Sequence, residues 1–174
     1  ANLSDRIYTF TTEVARKVQE KDPDVQLAIA AYSFYRSPPK ESITFPDNLT
    51  VSLCMFTESW MDPESRKAQK DMLEEWRKRV KHLYVREYYG TWNHYSLPFL
   101  QTRYIEEQLR LLRDCGCVGV HAEVGTNFAT EGPNLYLLAK LLWDVNDQNG
   151  RDVMDRYYRL GYEAAAPHVN AYFD

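Results

Sequence analysis

The chain has 174 residues, 44% of them hydrophobic, with 21 Lys and Arg against 25 Asp and Glu for a net charge of -4. That is enough apolar chain for one domain over residues 1–174 with its own core, and nothing in the composition marks disorder. The acidic balance, without a long Lys/Arg run, argues against a nucleic-acid partner, and the most apolar stretch, Leu135 to Trp143, holds about nine residues where a membrane span needs roughly twenty.

In chain order, Ser4 or Asp5 is placed to cap a helix whose apolar positions Ile7, Phe10, Val14 and Val18 follow helical spacing up to Asp22 and Pro23. This start lacks the basic and apolar regions of a signal peptide, so any such peptide is expected upstream or already removed. A strand follows over residues 26–33 (QLAIAAYS), then a loop marked by Pro38, Pro39 and Pro46, then a second strand over 48–56 (NLTVSLCMF). Pro63 opens the next helix, which runs through Met72, Trp76 and Val80. The third strand, 82–89 (HLYVREYY), closes at Gly90 and gives way to an aromatic loop over 91–99. A helix carrying Ile105, Leu109 and Leu112 leads through Gly116 to a fourth strand over 118–124 (VGVHAEV). Residues Gly125 to Pro133 read as a loop, Tyr136 to Trp143 as a helix, and Gly150 to Phe173 as a helical tail rich in Tyr and Ala.

Strands separated by helices of this length predict parallel β-α units, because parallel neighbours need a crossover that covers the sheet. The fold expected is α/β, with four such units side by side in chain order forming half of a (β/α)8 barrel of the TIM type. A four-stranded doubly wound sheet is the competing architecture, and it does not explain why each strand ends in a long aromatic and acidic loop. A half-barrel leaves parallel edges and core open, so a missing N-terminal half, the terminal helix or a second copy of the chain is expected to cover them.

Three cysteines, Cys54, Cys115 and Cys117, are an odd number without a second Cys or His pair at zinc spacing. Free thiols are the plain reading, an oxidised Cys54 pair the other; no metal and no cofactor is expected. Thirteen Tyr, seven Phe and four Trp make 14% of the chain. Such rings line sugar clefts, where the apolar face of a pyranose packs on them, and they also serve as ordinary core.

Ligands of α/β sheets gather at the C-terminal ends of the strands. After the first strand stand Tyr32, Tyr35 and Arg36; after the second, Glu58 and Trp60; at the third, Arg86, Glu87, Tyr88, Trp92, His94 and Tyr95; at the fourth, His121, Glu123 and Asn127. Carboxylates on neighbouring strand ends suit acid-catalysed sugar transfer, in which one donates a proton and another stabilises or attacks the developing cation. Glu58, Glu87 and Glu123 are therefore the candidate catalytic groups, and Tyr32, Tyr35, Arg36, Tyr88, Trp92, His94, Tyr95, His121 and Asn127 the candidate sugar contacts. The competing account makes each Glu a salt-bridge or capping residue, with Arg86 beside Glu87 as its partner. Alternation along the strands puts Leu49, Val51 and Leu53 toward helices and Ser52, Cys54 and Glu58 inward; Gly119, His121 and Glu123 point inward too, while Glu87 falls on the outer face with Leu83 and Val85.

The segments AYSFYRSPPK, FPDNLTVSLC, LYVREYYG and NLYLLAKLLWDVN are similar to those of the family known as domain of unknown function 4838, found in bacterial proteins linked to glycan breakdown, and nearly the whole chain, Ile7 to Phe173, resembles it. The last two segments also resemble the xylan alpha-glucuronidases, whose Gln-Glu-Tyr-x-Gly strand end carries a catalytic carboxylate and whose Asn-Leu-Tyr helix precedes a Trp-Asn-Pro turn. The resemblance implies a catalytic role for Glu87, flanked by Tyr88 and Gly90, with Arg86 standing in place of Gln and Val145 in place of Pro. Glu123 falls where Asn is expected, and the general acid of those enzymes belongs to the first half of the barrel, which this chain lacks. A carbohydrate-active glycoside hydrolase, alpha-glucuronidase-like and incomplete on its own, is the activity implied, with a polysaccharide or oligosaccharide as partner and a periplasmic or extracellular location. A non-catalytic glycan-binding barrel module is the alternative.

Overall fold

The strands Leu27–Ala31 (β1), Leu49–Cys54 (β2), His82–Tyr88 (β3) and Gly119–Glu123 (β4) form one parallel sheet whose spatial order is the chain order. The helix Leu3–Lys21 (α1) precedes them, Pro63–Arg77 (α2) and Thr102–Asp114 (α3) separate β2 from β3 and β3 from β4, and Phe128–Trp143 (α4), Gly150–Tyr162 (α5) and Ala166–Phe173 (α6) follow; β1 and β2 are joined without an α-helix, through a loop with one 3-10 turn. This is the α/β alternation expected from the periodicity. The structure, a computed structural model, describes residues 2–90, 98–125 and 128–173, without the Glu58 side chain.

The chain divides into two compact units, residues 1–87 with 112–122 and residues 88–111 with 123–174. In the first, Leu27 lies opposite Leu49, and Thr50 opposite His82. That register lines Leu49, Val51 and Leu53 up with Leu83 and Val85, all buried together with Ala15 of α1 and Leu73 and Trp76 of α2. Thr50 and Ser52, on the opposite face, stay half-buried. The face expected to meet helices is thus the buried one, as a period of two demands. At the heart of this core, the Tyr8 ring meets Trp76 edge-on at 5.0 Å and Phe45 at 5.9 Å. Asn48, fully buried ahead of β2, donates its amide to the Ala15 carbonyl at 3.0 Å and so fixes the strand start against α1.

Three local expectations are corrected. The cap of α1 is Asn2, neither Ser4 nor Asp5: its side chain accepts the Asp5 amide at 2.9 Å, and the Asp5 carboxylate accepts the Asn2 amide at 3.2 Å. Asp5 instead sits three positions inside the helix and also takes the Lys40 amide at 2.6 Å, so its acidity serves two segments at once. Desolvation, the largest single influence, pushes the Asp5 carboxyl up, but backbone hydrogen bonds from Glu41, Asn2 and Lys40 together outweigh it and hold the pKa below the usual carboxylate value. Asn2→Ala should cost about 1 kcal/mol, the usual worth of an N-cap, in a chemical denaturation curve.

The first strand stops at Ala31, short of Ser33, because Ser33 takes a positive φ of 51 and turns the chain into a short 3-10 segment, Ser33–Tyr35. The segment from Gly125 to Pro133, expected as a loop, is helical from Phe128 onward, with Pro133 inside α4. Proline lacks the N–H that would reach back to the carbonyl of Ala129, but that residue is exposed, so water can satisfy it. Burial of Thr130, Glu131, Gly132 and Asn134 outweighs the local preference.

All three cysteines are free thiols. Burial pushes the Cys117 thiol up to about 12 and raises that of Cys115 as well. No helix among the described residues is long and apolar enough to cross a membrane, and no group of three His, Cys, Asp or Glu among them could hold a metal ion.

Candidate functional site

In the first unit, Tyr32 continues β1 in an extended conformation and the turn at Ser33 swings the chain across the strand ends. Tyr32 and Arg36 thereby line one groove of about 410 Å³, with Ser33, Ser37, Phe56 and Met72. The Arg36 guanidinium stands 5.5 Å from the centre of the Phe56 ring, within cation-π range. Its backbone is fixed from below, since the Trp76 indole N–H donates to the Arg36 carbonyl at 2.8 Å. Phe56 is fixed too: its N–H donates to the Gln69 side chain at 3.0 Å and its carbonyl accepts the Gln69 amide at 2.9 Å. Two rings, a guanidinium and three hydroxyls on one wall can pack against a pyranose and hydrogen-bond its edge. Tyr35 is not a lining residue of this groove. Its carbonyl accepts the Tyr8 hydroxyl at 2.7 Å, and its ring packs edge-on against Tyr8.

Glu87 is fully buried on the same face of β3 as Leu83 and Val85, where alternation puts it. One carboxylate oxygen accepts the Thr57 N–H at 2.6 Å. This contact holds the head of the 3-10 segment Thr57–Met61, which carries Glu58 and the fully buried Trp60. Arg86, the neighbour in sequence, lies half-buried on the other face. His121 is exposed on β4.

In the second unit, Tyr88 and Glu123 are half-buried at the ends of their strands. Beside the turns that follow those strands lies a carboxylate outside the strand-end pattern: Glu131, 5% exposed, in the first turn of α4. Its Oε2 accepts the Gly125 N–H at 2.9 Å. A side chain on Gly125 would meet Glu131 Oε1 at 2.6 Å, and one on Gly90 would collide with the same oxygen. Gly90 and Gly125, each the second residue after its strand, thus leave room for one carboxylate. Three residues on, Asn134 is fully buried and makes three bonds: its amide donates to the carbonyls of Tyr89 at 2.9 Å and Phe99 at 2.8 Å, and its oxygen accepts the Gln101 N–H at 2.9 Å. The Tyr89 hydroxyl donates to buried Gln108 at 3.0 Å. The legible signal was Gly90, Gly125 and a Glu-x-x-Asn spacing that puts both polar residues on one helix face; reading Gly125 to Pro133 as loop hid it.

Of the remaining candidates, Trp92, His94, Tyr95 and Asn127 lie outside the described residues, as does the side chain of Glu58. Glu87 belongs to the first unit and Glu123 to the second.

Gly125→Ala should lower stability by about 1–3 kcal/mol, the usual cost of overpacking a filled site. Adding Glu131→Ala should recover part of that loss in a double-mutant thermal melt, because the colliding oxygens are then gone.

A family model described as Domain of unknown function (DUF4838) matches residues 1–174. No curated protein and no solved structure matches the chain.

Proposed function

Because the chain belongs to the family of the domain of unknown function DUF4838, we propose from its own residues that it is the C-terminal half of a glycoside-hydrolase-like (β/α)8 barrel and carries part of a carbohydrate site. The observation that carries this reading is the groove after β1 and β2, lined by Tyr32, Arg36 and Phe56, with the Arg36 guanidinium over the Phe56 ring. Ligand grooves at the C-terminal ends of parallel strands are the rule for such sheets. The reaction is hydrolysis of an O-glycosidic bond, alpha-glucuronidase-like, completed by groups from the other half of the barrel. In this reading the acidic groups are Glu87 of the first unit and Glu123 of the second, and the described sugar contacts are Tyr32, Arg36 and His121 of the first unit and Tyr88 of the second. A secreted or periplasmic setting fits a polysaccharide substrate.

A second reading, a glycan-binding module without catalysis, is favoured by one contact. Glu87 is buried and spends a carboxylate oxygen on the Thr57 amide, as a structural carboxylate does. Assaying the full-length protein on 4-nitrophenyl glycosides and on glucuronoxylan separates the two. Release of nitrophenol or glucuronic acid supports the hydrolase; saturable glucuronoxylan binding without release supports the module. Neither release nor binding removes both.

A further inference from the structure

Glu131 is a nearly buried carboxylate of the second unit, tied by a hydrogen bond to the backbone just after β4. Glu131 and Asn134 lie three residues apart on α4, so they share a helix face. Between them they bond to four backbone groups: the N–H of Gly125 after β4, the carbonyl of Tyr89 after β3, and the carbonyl of Phe99 and N–H of Gln101 where the chain comes back toward α3. We propose that Glu131 and Asn134 are positioning residues of the carbohydrate site, which clamp the ends of β3 and β4 so that Tyr88 and Glu123 are held in place to meet the sugar.

The chemistry of each member suits the task. A carboxylate in the first turn of a helix is favoured by the positive end of the helix dipole. From there the Glu131 side chain takes up the Gly125 amide. Asn134 is the side chain that can donate twice and accept once at this point; Asp would lose both donors and Leu all three bonds. The two glycines are the matching half of the clamp, because either one with a side chain would displace the Glu131 carboxylate. Buried polar groups joined this way hold one geometry, since every alternative leaves a donor or acceptor unmet in low dielectric. Filling the same space with apolar side chains would give a core without fixing where the strands end.

The proposal rests on the carbohydrate reading for its ligand, and the test keeps the two apart. In the full-length protein, binding of glucuronoxylan oligosaccharides is titrated for the wild type, Glu131→Ala, Glu131→Gln and Asn134→Leu, alongside thermal melts and amide hydrogen exchange. Glu131→Ala, which loses one hydrogen bond to a carboxylate, and Asn134→Leu, which loses three, should each weaken binding by the folded protein by at least about tenfold. Glu131→Gln keeps an oxygen that can accept the Gly125 amide and should stay within about threefold of wild type. Exchange at the Gly125 amide should quicken in Glu131→Ala, and at the Gln101 amide in Asn134→Leu. Lower melting points with unchanged affinity of the folded protein would make both residues merely structural and overturn the proposal. So would unchanged exchange at both amides. If the wild type binds no glucuronoxylan oligosaccharide, the ligand assignment falls, and exchange alone then decides whether the clamp exists.

Discussion

On the hydrolase reading, in which Glu87 is an acid-base group, Glu87→Gln in the full-length protein is expected to lower turnover on an aryl glycoside by about 10²–10⁴-fold, whereas the structural role suggested by its burial predicts no such loss. The substitution is chosen because Gln keeps an oxygen to accept the Thr57 N–H now bonded at 2.6 Å, so the 3-10 segment Thr57–Met61 stays anchored while the charge is lost. Melting should therefore move little, and a fall in turnover reports the chemistry. Glu87→Ala, by contrast, removes the acceptor as well and should destabilise by about 1–3 kcal/mol, the desolvation cost of a buried amide left without its partner. Turnover by Glu87→Gln equal to wild type would strike Glu87 from the catalytic set and leave Glu123 as the carboxylate to test next.

The largest stability effect is expected at Trp76. Its side chain is fully buried, meets Tyr8 at 5.0 Å and Phe45 at 6.1 Å, and donates its N–H to the Arg36 carbonyl. Trp76→Ala should cost about 3–5 kcal/mol in denaturant unfolding, the range for truncating a large buried aromatic. Trp76→Phe retains most of the packing but frees the Arg36 carbonyl, so it separates the cavity from the hydrogen bond. Because Arg36 lines the groove at the strand ends, Trp76→Phe should also weaken sugar binding more than its stability loss explains. Binding that tracks the folded fraction alone would show that the groove does not depend on this support.

The layers were legible in the sequence because period-two and period-3.6 patterns alternate cleanly, and β2 shows why: Leu49, Val51 and Leu53 are all buried while Thr50 and Ser52 are not. The same rule read Glu87 correctly as sharing a face with Leu83 and Val85, against the expectation drawn from family resemblance that it lies open to a sugar. What the pattern could not supply was chemistry made by tertiary contact. Glu131 falls in the stretch from Gly125 to Pro133 that reads as loop and Asn134 stands directly after it; the backbone partners of Asn134 are far along the chain, while Glu131 bonds Gly125 within the supposed loop itself. Asn2 escaped for a smaller reason: Asn, Ser and Asp are all good caps, and only the reciprocal bond to Asp5 tells them apart. Tyr35 looked like a ligand contact by its place after β1, but the turn at Ser33 brings its ring against Tyr8 instead.

The identity of spatial and chain order in the sheet has a consequence for how the protein comes to be folded. Each strand pairs with the one made just before it, so no strand must wait for a later segment to supply its neighbour. The loops closed by pairing β1 with β2 and β2 with β3 span about 22 and about 32 residues, and the entropy of closing them differs by only about 0.3 kcal/mol. Successive strands can thus add at similar cost, in the direction of synthesis, each on the edge left by the strand before it and always opposite β1.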